Sequence, residues 1–178
     1  MYRCKGWAGI VYVGDKRNVV LKIYSQERMM GFDNVGREIA WLRKLEDFDR
    51  VPTIVEELPM LTGFIMTYMG ERLTKENIPK DWFDQRDYLL DTLHNKYGVQ
   101  HNDIKPTDIL VKDGKLNLID FGWSSPFGEP IPDNWPKGLG DVFRIPGGGF
   151  DDHHAFSTSI EYVLLDKPYH KGIERWQE

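Results

Sequence analysis

The chain of 178 residues is the size of one domain and can bury a substantial core, and its 40% hydrophobic and 13% aromatic content excludes a disordered polymer. With 23 basic and 28 acidic residues its formal net charge is -5, which removes the electrostatic case for broad nucleic-acid or anionic-membrane binding. A single cysteine, Cys4, excludes an intrachain disulfide and a cysteine-rich metal cluster, and no apolar run resembles a secretory signal or spans a bilayer, so the expectation is cytoplasmic residence without membrane insertion.

Taken in order, the first pattern is a pair of β-branched and aromatic runs, Gly9 to Tyr12 and Val19 to Tyr24, separated by the turn-forming Gly14-Asp15-Lys16-Arg17-Asn18. From Val35 to Leu45 the apolar positions Val35, Ile39, Leu42 and Leu45 recur at helical spacing and predict a helix with one face on that sheet. Two further strands are predicted at Thr53 to Leu58 and Gly63 to Met69, after which Gly70-Glu71 reads as a hinge.

Asp81 to Tyr97 is helical in pattern and Gly98 supplies a stop. Ile109 to Val111 and Leu116 to Ile119 are short strands around Asp113-Gly114, a strong tight-turn signal. Ser124 to Phe150 is rich in Pro and Gly and predicts a long loop. Asp152 to Leu165 predicts a last helix.

The run His101-Asn102-Asp103-Ile104-Lys105-Pro106-Thr107-Asp108-Ile109-Leu110, followed by Ile119-Asp120-Phe121-Gly122, resembles the catalytic loop and metal-binding segment of eukaryotic-like protein kinases. Upstream, Gly6-Trp7-Ala8-Gly9-Ile10-Val11 resembles the end of a glycine-rich loop, Val19-Val20-Leu21-Lys22 the strand with its lysine, and Glu38 the partner glutamate. Downstream, Asp152 resembles the aspartate of a buried helix that braces the catalytic loop.

The resemblance implies an α+β fold of two lobes within one domain, 1–178. Residues 1–69 would form an antiparallel sheet with one main helix, and 70–178 a shortened, mainly helical lobe. It implies ATP and Mg2+ as cofactors and phosphoryl transfer to a hydroxyl acceptor, a protein Ser/Thr by preference. The alternatives are a small-molecule alcohol as acceptor, or a nucleotide-binding scaffold with little catalysis.

Residue by residue, Gly6 and Gly9 would let the backbone approach the phosphates, and Lys22, held by Glu38, would pair with them. The adenine would lie between the lobes, walled by Val11, Val20, Met66 and Leu110, with hydrogen bonds from the backbone of Thr67 to Met69. Asp103 would orient or deprotonate the acceptor, Lys105 would offset charge on the moving phosphate, and Asp108 and Asp120 would bind the metal.

His101 is read as a loop-holding residue, and the His153-His154 pair lacks further ligands at metal spacing. Asp152 is expected to cap its helix or brace the loop, ahead of Asp151 in either role. The chain departs from the family at Cys4, in place of the first glycine, at Asp108, in place of a metal-binding asparagine, and at Asn102, in place of an arginine. Its shortened second lobe points to a small or unusual substrate, or to a partner protein that completes the platform.

Overall fold

A computed structural model describes residues 2–5, 9–14, 18–25, 34–130, 135 and 150–167. Gly6, residues 15–17 of the predicted turn, most of the 124–150 segment predicted as a loop, and the residues beyond 167 lie outside the described residues. The chain divides into two compact units, with the boundary between Tyr68 and Met69.

The first unit is a five-stranded antiparallel sheet ordered β1-β2-β3-β5-β4. Its strands are β1 (Tyr2–Lys5), β2 (Gly9–Val13), β3 (Val19–Tyr24), β4 (Ile54–Leu58) and β5 (Gly63–Thr67). Strand β1 was not expected; four residues are too few to show a period, and it is fixed by pairing with β2, Cys4 opposite Val11. A Cβ on Gly9 would lie 2.1 Å from the Ile23 carbonyl oxygen. Close strand approach therefore already requires glycine there, before any ligand is considered.

Helix α1 (Asn34–Lys44) buries the i, i+3, i+7 stripe Val35, Glu38 and Leu42 together with Asn34; Leu45, just beyond the helix, is buried as the spacing predicts, whereas Ile39 is only half-buried. A carboxylate in the middle of that stripe is stable only if it finds a cation or hydrogen-bond donors. Basic Arg43 and Lys44 in the last turn complement the helix dipole.

The second unit contains α2 (Trp82–Asp91), α3 (Asp152–Leu164) and five short strands: β6 (Glu71–Arg72), β7 (Val99–Gln100), β8 (Ile109–Lys112), β9 (Lys115–Leu118) and β10 (Ser125–Pro126). The helix predicted from Asp81 to Tyr97 divides into α2 and a π-helical turn, Thr92–Lys96, and Gly98 then reverses the chain at φ +63°. Leu89, Leu90 and Leu93 are fully buried, each contributing about 1.5–3 kcal/mol of apolar burial. Asp113 and Gly114, at φ +52° and +73°, make the tight β8–β9 turn.

Gly70, read as part of a hinge, sits at φ +120° just after the unit boundary, and a Cβ there would fall 2.2 Å from the Val111 carbonyl oxygen. This close approach starts β6, which pairs with β8. Antiparallel sheet at the N-terminal end and helices in the C-terminal part together make an α+β fold.

Candidate functional site

In the first unit, β3 alternates so that Val20, Lys22 and Tyr24 are buried while their neighbours are not. Lys22 Nζ reaches both oxygens of Glu38, 2.9 Å to Oε1 and 2.7 Å to Oε2. Glu38 Oε2 also accepts the Tyr24 hydroxyl, a partner the sequence reading missed. Its position two residues beyond Lys22, on the same strand face, is the signal that could have found it.

Other expected ligand residues are placed by the same sheet. Val11 pairs with Lys22, and Val20 pairs with Met66, both Val20 and Met66 being buried. The Thr67 amide donates to Thr53 O at 3.0 Å and the Tyr68 amide to Asn18 O at 3.2 Å, so these two donors are engaged inside the protein. In the second unit, Met69 O accepts from Asn117 Nδ2 at 3.0 Å, and Leu110 lies half-buried on β8 opposite Asn117.

The loop between β7 and β8 brings four of the predicted residues together. Lys105 Nζ lies 2.7 Å from Asp103 Oδ2, 2.7 Å from Asp108 Oδ2 and 4.0 Å from Asp120 Oδ2. A turn closed by Asp108 N donating to Lys105 O at 2.9 Å aims Asp108 back at the ammonium. Ile119 N donates to Asp108 O at 3.0 Å, which links the turn to the residue before Asp120. Asp120 itself takes a left-handed φ of +70°, which Asp tolerates better than most side chains.

Three carboxylates around one ammonium leave an excess of negative charge. Burial first, and then the neighbouring Asp120 and Asp103, push the Asp108 carboxyl up to about 8 despite Lys105. Lys105 is affected the other way: burial disfavours its charge, but Asp103, Asp108 and Asp120 outweigh that and hold it well above the usual lysine range. The donors are all hard oxygens, the chemistry that suits magnesium. Among the described residues, however, no group of three or more His, Cys, Asp or Glu side chains is disposed to hold a metal ion. The carboxylates converge on Lys105 instead.

The loop is braced from below. Asp152 is buried and accepts from His101 N at 2.7 Å, Asn102 N at 2.9 Å and His94 Nε2 at 3.0 Å. Burial pushes its carboxyl up, but these bonds and the nearby His101 hold it below the usual carboxylate range. Capping of α3 belongs to Asp151, whose Oδ1 accepts from His154 N at 2.9 Å, so the two aspartates divide roles that were expected of Asp152.

Burial depresses the pKa of His101. As a neutral ring it donates from Nε2 to Ile119 O at 2.9 Å and accepts at Nδ1 from Asp103 N at 3.4 Å, so it holds the loop on both sides. Asn102, at φ +68°, donates to Trp123 O at 2.9 Å and Ser125 Oγ at 3.0 Å, tying the loop to the segment after Gly122.

No family model matches the chain. Over 78 residues it is 38% identical to serine/threonine-protein kinase kin-29 of Caenorhabditis briggsae, covering 43% of this chain and 10% of that protein. Over 160 residues it is 25% identical to serine/threonine-protein kinase mph1 of Schizosaccharomyces pombe, covering 80% and 23%. Over 195 residues it is 24% identical to cyclin-dependent kinase D-1 of Oryza sativa subsp. indica, covering 94% and 46%. The chain thus spans less than half the length of each of these relatives. The matches support a distant relationship to eukaryotic protein kinases, at the level of the superfamily.

Proposed function

We propose that the chain transfers the terminal phosphoryl group of ATP to a hydroxyl acceptor, by preference a protein serine or threonine, within the cytoplasm. The observation that carries the reading is the loop in which Lys105 joins Asp103 and Asp108, both at 2.7 Å, on a frame held by Asp152. Phosphoryl transfer asks a protein for positioning and charge stabilisation more than for covalent chemistry, and a loop braced in this way would supply both.

Lys22 would pair with the nucleotide phosphates while Glu38 fixes its direction. Asp103 would orient the acceptor hydroxyl and take its proton, and Lys105 would offset charge on the transferred group. Asp108 and Asp120 would hold magnesium, which when bound neutralises phosphate charge. Gly9, Val11, Val20, Met66, Thr67, Met69 and Leu110 would line the nucleotide; Gly6, outside the described residues, completes that set.

The serine/threonine preference follows the Asp103 and Lys105 pair and the likeness to the serine/threonine-protein kinases kin-29 and mph1. Its test is transfer from magnesium ATP carrying a labelled terminal phosphate into a size-separated extract, followed by phosphoamino-acid analysis. Phosphoserine or phosphothreonine in the macromolecular fraction is the expected result. Label confined to small molecules would refute the acceptor class while leaving phosphoryl transfer intact.

A further inference from the structure

The Lys22–Glu38 pair carries a third member that pairing alone does not require. Tyr24 is 5% exposed and directs its hydroxyl to Glu38 Oε2, the oxygen that Lys22 Nζ meets at 2.7 Å. Lys22 Nζ also lies 5.0 Å from the centroid of the Tyr24 ring. Carboxylate, ammonium and phenol therefore close a triangle with two corners on β3 and one on α1.

An ammonium is a compact charge with rotatable donors, and a carboxylate held by it alone can pivot. Lys22 and Tyr24 stand one strand repeat apart, about 7 Å, so attachment at both removes that pivot and fixes α1 along the strand. A hydroxyl donor to an ionised carboxylate forms a bond roughly twice as strong as a neutral one. It adds no charge of its own, so Lys22 keeps its full charge for an anion. If an anion draws the ammonium away, the phenol still holds the carboxylate.

We infer that Tyr24 is a positioning residue: by holding Glu38 Oε2 it keeps α1 docked and Lys22 presented whether or not an anion is bound. The consequence for nucleotide binding rests on the reading of Lys22 as the phosphate-pairing lysine. The device makes the pair part of the resting structure of this unit, with no activating event needed to assemble it.

Tyr24→Phe removes the hydroxyl and keeps the ring and its burial. The full chain is labelled with acetic anhydride and read lysine by lysine by mass spectrometry. Lys22 should acetylate about tenfold faster in the variant, the loss equivalent to one hydrogen bond to a charged group, while exposed Lys112 and Lys115 keep their rates. Ile54→Val, a small truncation in the core of the same unit, controls for general destabilisation and should leave Lys22 within about twofold of the parent.

Unchanged Lys22 labelling in Tyr24→Phe, or an equal rise in Ile54→Val, overturns the inference. Magnesium ATP binding, measured by calorimetry on the same proteins, is the second readout, expected to weaken about fivefold in Tyr24→Phe. Unchanged affinity beside faster labelling would refute the nucleotide consequence. Absence of binding by the parent chain would defeat the kinase reading, whereas faster Lys22 labelling in Tyr24→Phe would still support the positioning role.

Discussion

Asp152→Ala tests the brace beneath the loop. The carboxylate accepts three hydrogen bonds, two from the successive amides of His101 and Asn102 and one from His94. Bonds to a charged group contribute about 1.5–3 kcal/mol each, and truncation leaves two buried amides without an acceptor. Removal of the buried carboxylate's own desolvation cost offsets part of this, which gives a net loss of about 4 kcal/mol, within the 3–5 kcal/mol range for breaking a buried pair.

Asp152→Asn keeps one acceptor oxygen and should lose about half as much. Urea unfolding followed by tryptophan fluorescence reads the global loss, and hydrogen exchange at the His101 and Asn102 amides reads the local one. The sign with pH follows from the depressed carboxyl: the Asp152 contribution is complete above about pH 4, where the unfolded carboxyl is ionised, and is lost as pH falls through the folded value. His101, also depressed, adds a loss that begins as pH falls below about 6.5, where only the unfolded ring takes up a proton. A loss of less than about 0.5 kcal/mol in Asp152→Ala, or unchanged exchange at the two amides, would refute the reasoning.

Glu38→Ala should cost about 3 kcal/mol in thermal unfolding by stranding buried Lys22, and the double change Lys22→Met with Glu38→Leu should recover most of it; an undiminished loss in the double variant would show that the pair is not the cause. Asp108→Asn should gain stability relative to the parent as pH rises from about 4 toward about 8, because the folded Asp108 carboxyl is pushed up and holds a proton that the unfolded one has lost; parallel stability–pH curves would contradict this. Gly70→Ala, with φ +120° and a Cβ site 2.2 Å from Val111 O, should cost more than 2 kcal/mol in urea unfolding, whereas Gly98→Ala, with nothing within 4 Å of its Cβ site, should cost about 1 kcal/mol; equal effects would refute the close-approach account.

Legibility followed the length of the pattern. Helix α1 and the β8–β9 hairpin were readable because an apolar stripe and an Asp-Gly turn are local signals. The two-residue strands β6, β7 and β10 were not, since they exist only through partners distant in sequence, such as Ser125 opposite Gln100. The helical run from Trp82 to Lys96 was readable, but its change from α- to π-helical winding at Thr92 was not, because a π-helical turn keeps the helical composition.

At the candidate site the motif spacing brought out Lys22, Glu38, Asp103, Lys105, Asp108, Asp120 and Asp152. What it left out were two second partners, the Tyr24 hydroxyl and the Asn117 amide on Met69 O, each of which depends on side-chain direction across elements. The α3 cap was ranked for Asp152 ahead of Asp151, the residue that makes it. The convergence of Asp103 and Asp108 on Lys105 is likewise a matter of three-dimensional charge balance.

The most direct test of the phosphoryl-transfer reading compares the parent chain with Asp103→Asn for magnesium ATP affinity and for transfer of its labelled terminal phosphate. The account predicts affinity within about threefold and transfer lowered by about 100-fold or more, the contribution of a positioned base. Equal transfer by both proteins, or nucleotide binding with no transfer by the parent, would contradict it.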